Sequence, residues 1–172
     1  MEGTAGAANE PKLLETGVPH LDLVLGGGLQ QHNSYLFAGP PGSGKSLLSQ
    51  QIAFHRARLG DRVLLLTGLD EPHHNLLEHL RRYRFVDAEL IGPRIETVSM
   101  VPFLEQPLPD KMAILRKTVL NLRPQFVTLE GLRSLTAFMG GEQGAYQFLY
   151  GLTSWFAVEG ITLIMTKETG PG

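Results

Sequence analysis

The stretch from Gly39 to Ser46 carries the residues whose types and spacing best fit a chemical task. It reads Gly-Pro-Pro-Gly-Ser-Gly-Lys-Ser and matches the pattern G-x-x-x-x-G-K-[ST] at every defined position. A triphosphate needs backbone N–H groups turned inward around its oxygens, and glycine permits such close curling because it has no Cβ. Lys45 would reach the β- and γ-phosphates, and the Ser46 hydroxyl would bind Mg²⁺. The motif therefore predicts binding of ATP with Mg²⁺.

The segments on either side of this loop favour the same interpretation. An apolar strand candidate, residues 34–38, precedes the loop, and a helical pattern runs from Leu47 to Leu59 and stops at Gly60. A strand, a loop and a helix in this order direct the positive end of the helix towards the phosphates. The predicted nucleotide-binding residues are Gly39, Pro40, Pro41, Gly42, Ser43, Gly44, Lys45, Ser46 and Leu47.

Carboxylates follow two further apolar strand candidates. Residues 63–66 form a continuous apolar run, typical of a parallel strand covered on both faces, and Asp70 and Glu71 come soon after it. Residues 126–129 form another strand that ends at Glu130, an arrangement in which the acid can hold Mg²⁺ through water. The alternatives are structural. Asp70 would also suit a helix N-cap, Glu71 the first turn of a helix, and Glu130 an ordinary loop.

The remaining pattern predicts an α/β fold. Further strands are expected at residues 94–101 and 161–165, and helices at residues 112–122 and 148–156. Pro102, Pro107 and Pro109 predict a loop between the third strand and the next helix. Five strands that alternate with helices favour a mostly parallel five-stranded sheet with right-handed crossovers, in a three-layer domain.

Composition limits the classes of function. The 172 residues suffice for one domain, with 42% hydrophobic and 19% charged residues, and we expect a tail over 1–11 before a domain over 12–172. The net charge of −2 gives no electrostatic reason to expect nucleic acid or membrane as the main partner. Cysteine is absent, which suits a cytoplasmic protein, and no apolar run approaches the length of a membrane span. The tail is small and polar, and is predicted to be disordered.

A family resemblance adds to these expectations. Thr16-Gly17-Val18, Leu21-Asp22 and residues 25–29, followed by the phosphate loop, resemble the opening of the KaiC-like branch of the RecA superfamily of P-loop ATPases. That opening reads T-G-[IV]-x-x-L-D-x-x-x-G-G-G-[LI], and the resemblance extends over residues 14–168. There are two departures. Residues 30–32 replace a usual Pro and Gly, and Glu130-Gly131 replaces a usual Asp-Ser.

The resemblance implies roles for several residues. Asp70 and Glu71 match an acidic pair that activates the attacking water, while Lys45 stabilises the transferred phosphoryl group. Ser46 and Glu130 match the metal-binding positions, and Thr166 and Glu168 are weaker candidates close to the nucleotide. Members of the family continue into further strands beyond the position of Glu168, so the domain is expected to be short at its C-terminus.

The resemblance also implies partners and an activity. ATP and ADP are the expected ligands, and a homo-oligomer or an assembly with related RecA-like subunits is the expected state. An isolated chain would then hydrolyse ATP weakly, and a residue among 81–84 would supply an arginine to a neighbour. The expected function is an ATPase that couples nucleotide state to oligomerisation or signalling. Alternatives are a DNA-binding recombinase paralogue in DNA repair, a nucleotide-binding module without turnover, and a small phosphotransferase, whose Arg-rich lid segment is not evident.

Overall fold

The computed structural model describes residues 12–67, 78 and 80–170. The predicted tail over 1–11 lies outside these described residues. In chain order, the strands and α-helices are β1 (Leu13–Leu14), α1 (Pro19–Val24), β2 (Leu29–Gln30), β3 (Ser34–Gly39), α2 (Lys45–Arg58), β4 (Val63–Thr67), β5 (Ile95–Ser99), α3 (Val101–Leu104), α4 (Leu108–Leu122), β6 (Phe126–Leu129), α5 (Leu132–Phe138), α6 (Glu142–Val158) and β7 (Thr162–Glu168).

Five of the strands form one parallel sheet, as the sequence predicted. Their order across the sheet is β3-β7-β6-β4-β5, and every neighbouring pair is parallel. Gly39 is paired with Glu168, and Leu66 with Leu129. The ends of β3, β4, β6 and β7 therefore meet at one edge of the sheet, where side chains that follow these strands come together.

Apolar side chains cover the two faces of the sheet separately. Alternation along the strands sends Leu65, Phe126 and Ile164 into a cluster with residues of α2, and Leu64 and Leu66 into the opposite cluster. The opposite cluster contains Leu115 of α4 and Leu152 and Phe156 of α6. The three-layer α/β arrangement is thus confirmed. No helix in the described ranges is long and apolar enough to cross a membrane.

Strand β3 is supported differently from the centre of the sheet. It pairs only with β7 in the described sheet, and its residues alternate between exposed and half-buried positions. Tyr35 and Phe37 pack against the cluster under α2, whereas the side chain of Leu36 points the other way and is 50% exposed. By contrast, every residue of β4 and β6 is buried. The strand that leads into the phosphate loop is therefore covered on one face.

The loop predicted from Pro102, Pro107 and Pro109 is wrong in part. Pro102 lies in the first turn of α3, and α4 begins at Leu108, with Pro109 in its first turn. Proline fits the first turn of a helix because the N–H group it lacks would have no intrahelical partner there. Only the connection between Leu104 and Leu108, which contains Pro107, remains outside a helix.

The residues that carried the family resemblance hold the first segment together. Thr16 is fully buried, its N–H donates to Asp22 Oδ1 at 2.9 Å, and its hydroxyl accepts from the N–H of Val18 at 3.1 Å. The unusual turn at residues 30–32 places His32 at a φ of 64°, and the N–H of His32 donates to Thr162 Oγ1 at 2.9 Å. This contact ties the turn to the start of β7.

Candidate functional site

The phosphate loop spans the interval between β3 and α2. Gly39 is the last residue of β3, and α2 starts at Lys45 after Gly44, whose φ is +85°. That φ favours glycine because a side chain would clash with the backbone. A Cβ at Gly39 would lie 2.9 Å from Ser43 Oγ, so the absence of a side chain also permits the loop to close on itself. The glycines of the motif are explained by local geometry.

Lys45 lies across this loop. Its Nζ donates to the carbonyl of Pro40 at 2.8 Å and to Ser43 Oγ at 3.2 Å, and these contacts are exposed. The ammonium is thus beside the loop and the N-terminus of a helix of 14 residues. Both features attract an anion, since the first N–H groups of a helix lack intrahelical partners and carry partial positive charge.

Glu130 follows β6 and is held by side chains of α2. Its Oε1 accepts from Gln50 Nε2 at 2.9 Å and lies 3.3 Å from Ser49 Oγ. Ser49 Oγ also lies 2.9 Å from the carbonyl of Ser46, and its single proton is donated to one of these two oxygens at a time. A short chain of contacts therefore links the carboxylate to the first turn of α2. Through Ser49, the structure links Glu130 to the backbone of Ser46, the other residue predicted to bind the metal.

The oxygen atoms around this neighbourhood suit a hard cation. Thr67, at the end of β4, is 4% exposed, and its Oγ1 has no hydrogen-bond partner in the described part of the chain. The N–H of Glu130 donates to the carbonyl of Leu66 at 3.1 Å, and Leu66 pairs with Leu129. Thr67, the next residue of β4, therefore lies across from Glu130 at the edge of the sheet. Carboxylate and hydroxyl oxygens are ligands that Mg²⁺ accepts, directly or through water. The residues present thus fit Mg²⁺, although no group of three or more His, Cys, Asp or Glu in the described ranges could hold a metal.

Thr166 and Glu168 lie on β7, the strand between β3, which leads into the phosphate loop, and β6, which leads to Glu130. Thr166 Oγ1 accepts from the N–H of Gly131 at 3.4 Å, next to Glu130. Glu168 pairs with Gly39 across the ladder, and its Oε2 is 4.0 Å from Arg133 Nη1 in an exposed pair. Strand β7 therefore lies between the phosphate loop and the Glu130 carboxylate, with one polar residue beside each.

Comparison with known proteins identifies the family of the chain. The family model described as KaiC ATPase matches residues 14–171. The chain belongs to the KaiC family. Its structure resembles that of a KaiC-like protein from Pyrococcus horikoshii, with a TM-score of 0.76, 19% identity, and coverage of 92% of this chain and 71% of that one. This likeness supports the RecA-type fold.

Curated relatives match this KaiC-family chain in different ways. The circadian clock protein KaiC3 from Synechocystis is 26% identical over 168 residues, which is 90% of this chain and 32% of the relative. A UPF0273 protein from Methanocaldococcus jannaschii is 32% identical over 72 residues, or 42% of this chain and 30% of the relative. The DNA repair protein RadA from Mycolicibacterium smegmatis is 51% identical over 53 residues, or 31% of this chain and 11% of the relative. The chain thus spans a third or less of the length of these relatives.

The predicted water-activating pair remains a prediction. Asp70 and Glu71 lie outside the described residues, as do Gly68 and Leu69 before them. Strand β4, which leads towards them, ends at Thr67 on the same sheet edge as Glu130.

Sequence reasoning missed the two residues of this KaiC-family domain that contact Glu130, Ser49 and Gln50, and the buried Thr67 at the end of β4. Ser49 and Gln50 belong to a helix with a buried apolar face and are themselves 0% and 5% exposed. A signal was available, because Ser49-Gln50-Gln51 is a polar run that follows the phosphate loop after only two leucines. Their partner could not be read from the sequence, since Glu130 is 80 positions away from Gln50.

Proposed function

We propose that this KaiC-family chain is a nucleotide-binding domain that binds ATP with Mg²⁺ and hydrolyses it. The observation that carries the proposal is the link between the two halves of the site. Ser49 and Gln50 connect the first turn of α2, which follows the phosphate loop, to the Glu130 carboxylate. Triphosphate contacts and metal support must lie together for phosphoryl transfer, and this link supports such an arrangement.

The proposed roles follow from the chemistry of each group. Residues 39–47 would surround the phosphates, and Lys45 would exchange its contacts within the loop for phosphate oxygens. Ser46 and Glu130 would hold Mg²⁺, which neutralises phosphate charge when bound. Glu71, with Asp70 as its partner or substitute, would orient the attacking water. Thr166 and Glu168 would contact the nucleotide region from β7.

Coupling to assembly is the second part of the proposal. A cation supplied by a neighbouring subunit can accelerate phosphoryl transfer by several orders of magnitude. We propose that copies of this chain, or related RecA-like subunits, associate and respond to nucleotide, with an arginine among residues 81–84 at the interface. The chain would form one cytoplasmic domain over residues 12–172 and would hydrolyse ATP weakly when alone.

A role in DNA repair is the second candidate. The local identity of 51% to a DNA repair protein RadA favours it. The net charge of −2 argues against strong DNA binding, because phosphate contacts need an excess of lysine and arginine.

The decisive measurement is phosphate release from Mg-ATP, with gel filtration in the presence and absence of nucleotide. We expect slow phosphate release whose rate per subunit increases with chain concentration. In Glu71→Gln we expect this release to be lost while ATP affinity stays nearly unchanged. If Asp70→Asn is the damaging change, the two acids exchange roles. ATP binding without release in any assembled state would show a nucleotide-binding module instead. Stimulation by single-stranded DNA would favour the repair role.

A further inference from the structure

The Glu130 carboxylate accepts a hydrogen bond from a buried amide that no part of the phosphate-loop motif specifies. Gln50 is 5% exposed and lies on α2 close to Ile52, Ala53 and Phe54, which are fully buried. A buried amide costs free energy unless it is hydrogen-bonded, so a glutamine in this position needs a partner. Its Nε2 donates to Glu130 Oε1 at 2.9 Å.

The length of the acid explains why such a partner is needed. Glutamate has one methylene and one rotatable bond more than the aspartate typical of the family at this position. The extra torsion must be fixed if the carboxylate is to meet a cation with constant geometry. Gln50 Nε2 and Ser49 Oγ approach the same oxygen, Oε1, from adjacent positions on one helix. The hydrogen bond from the Gln50 amide, with the Ser49 hydroxyl beside it, restricts the rotation of the carboxylate and its distance from α2.

We infer that Gln50 is a positioning residue, which sets the Glu130 carboxylate for Mg²⁺ and thereby adapts this site to a glutamate. The inference rests on the proposed role of Glu130 in metal binding. Hydrogen bonds to metal-binding carboxylates orient the ligand, and their removal typically lowers metal affinity by about 10- to 100-fold. Gln50 itself is not a ligand, because its contact with the site passes through Glu130.

The test is the Mg²⁺ dependence of ADP binding, measured by titration calorimetry over a series of Mg²⁺ concentrations and in EDTA. Gln50→Met keeps the approximate length of the side chain and removes the amide. We expect it to raise the Mg²⁺ concentration needed for tight ADP binding about tenfold and to leave ADP affinity in EDTA unchanged. Gln51→Met is the matched control, since it makes the same change at the next position of α2, and it should not shift the Mg²⁺ dependence.

A double-mutant cycle shows whether the effect passes through Glu130. In the background of Glu130→Gln, and also of Glu130→Asp, which withdraws the carboxylate by one methylene, Gln50→Met should add no further shift. If Gln50→Met does not fold, Gln50→Asn replaces it, because the shorter amide moves away from Oε1 and should shift the Mg²⁺ dependence in the same direction.

Two results overturn the inference in different ways. In the first result, Glu130→Gln raises the Mg²⁺ requirement, but the Gln50 variant either leaves it unchanged or weakens ADP binding equally with Mg²⁺ and in EDTA. Gln50 then has only a structural role, and the proposed function stands. If Glu130→Gln leaves the Mg²⁺ requirement unchanged, the metal role of Glu130 fails and the inference fails with it.

Discussion

The phosphate loop and the Glu130 carboxylate are carried by strands with very different support. Strand β6, which ends beside Glu130, is paired on both sides, and its residues are 0–2% exposed. Strand β3, which ends in the loop, pairs only with β7 among the described residues and has Leu36 half exposed. The loop obtains its shape from its own glycines and from Lys45, whereas the carboxylate obtains its place from the sheet and α2. The loop motif thus lies on a strand that is covered on one face, whereas the acid follows a strand that is buried on both.

Matched leucine substitutions test this comparison with the largest expected effect. Leu129→Ala, on β6, should lower the free energy of unfolding by about 2–5 kcal/mol because it leaves a cavity in a closely packed core. Leu36→Ala, on β3, should lower it by less than about 1 kcal/mol, since the side chain is half exposed. Urea unfolding followed by circular dichroism measures both. Equal losses would contradict the difference in support.

Lys45→Ala should separate binding from folding. We expect ATP affinity to fall by about 100-fold, or about 2.7 kcal/mol, because a charged donor to the phosphates is lost. Stability should change little, as the Lys45 contacts are exposed. Titration calorimetry with ATP measures the affinity, and Lys117→Ala, at an exposed lysine on α4, is the control. Unchanged affinity in Lys45→Ala would remove the phosphate-loop assignment.

Thr67→Val tests the buried hydroxyl at the end of β4, which has no hydrogen-bond partner in the described part of the chain. A buried polar group without a hydrogen bond costs about 1–3 kcal/mol, so its replacement by a methyl group should stabilise the ligand-free protein by about 1 kcal/mol. Thr162→Val makes the same change at a buried threonine that accepts from the N–H of His32, and it should destabilise the protein. Thermal unfolding compares the two variants. A loss of stability in both would mean that the Thr67 hydroxyl has a partner.

The smallest expected effect concerns Tyr35 on the edge strand. Burial raises the pKa of Tyr35 above its ordinary value of 10.0, against an opposing contribution from its hydrogen bond to Gln30. The unfolded chain therefore loses this proton first, and stability falls as the pH rises above about 10. Tyr35→Phe removes the ionisable hydroxyl, so the free energy of unfolding of the variant should fall less steeply than that of the parent between about pH 9 and pH 11. Parallel urea curves across this range would place the ionisation of Tyr35 outside the folding equilibrium.

The comparison also explains what the sequence could predict. The loop was predictable because its function depends on neighbours in the chain, and the strands were predictable because β4 and β6 are continuous apolar runs. The position of Glu130 at a strand end was predictable for the same reason. Its partner Gln50 was not, because that contact depends on how α2 lies over the sheet. Pro102 and Pro109 were misread because proline favours both loops and first helical turns.

The edge position of β3 has a consequence for amide hydrogen exchange. Leu163 and Thr169 donate their N–H groups to the carbonyls of Asn33 and Gly39, so odd-numbered residues of this strand face β7. Backbone groups alternate in direction along a strand, and the N–H groups of Leu36 and Ala38 therefore point away from the sheet. Deuterium should enter these two amides much faster than those of Tyr35 and Phe37. A strand that pairs with this edge would slow hydrogen exchange at these two amides alone. Their exchange rates would therefore report on association through β3.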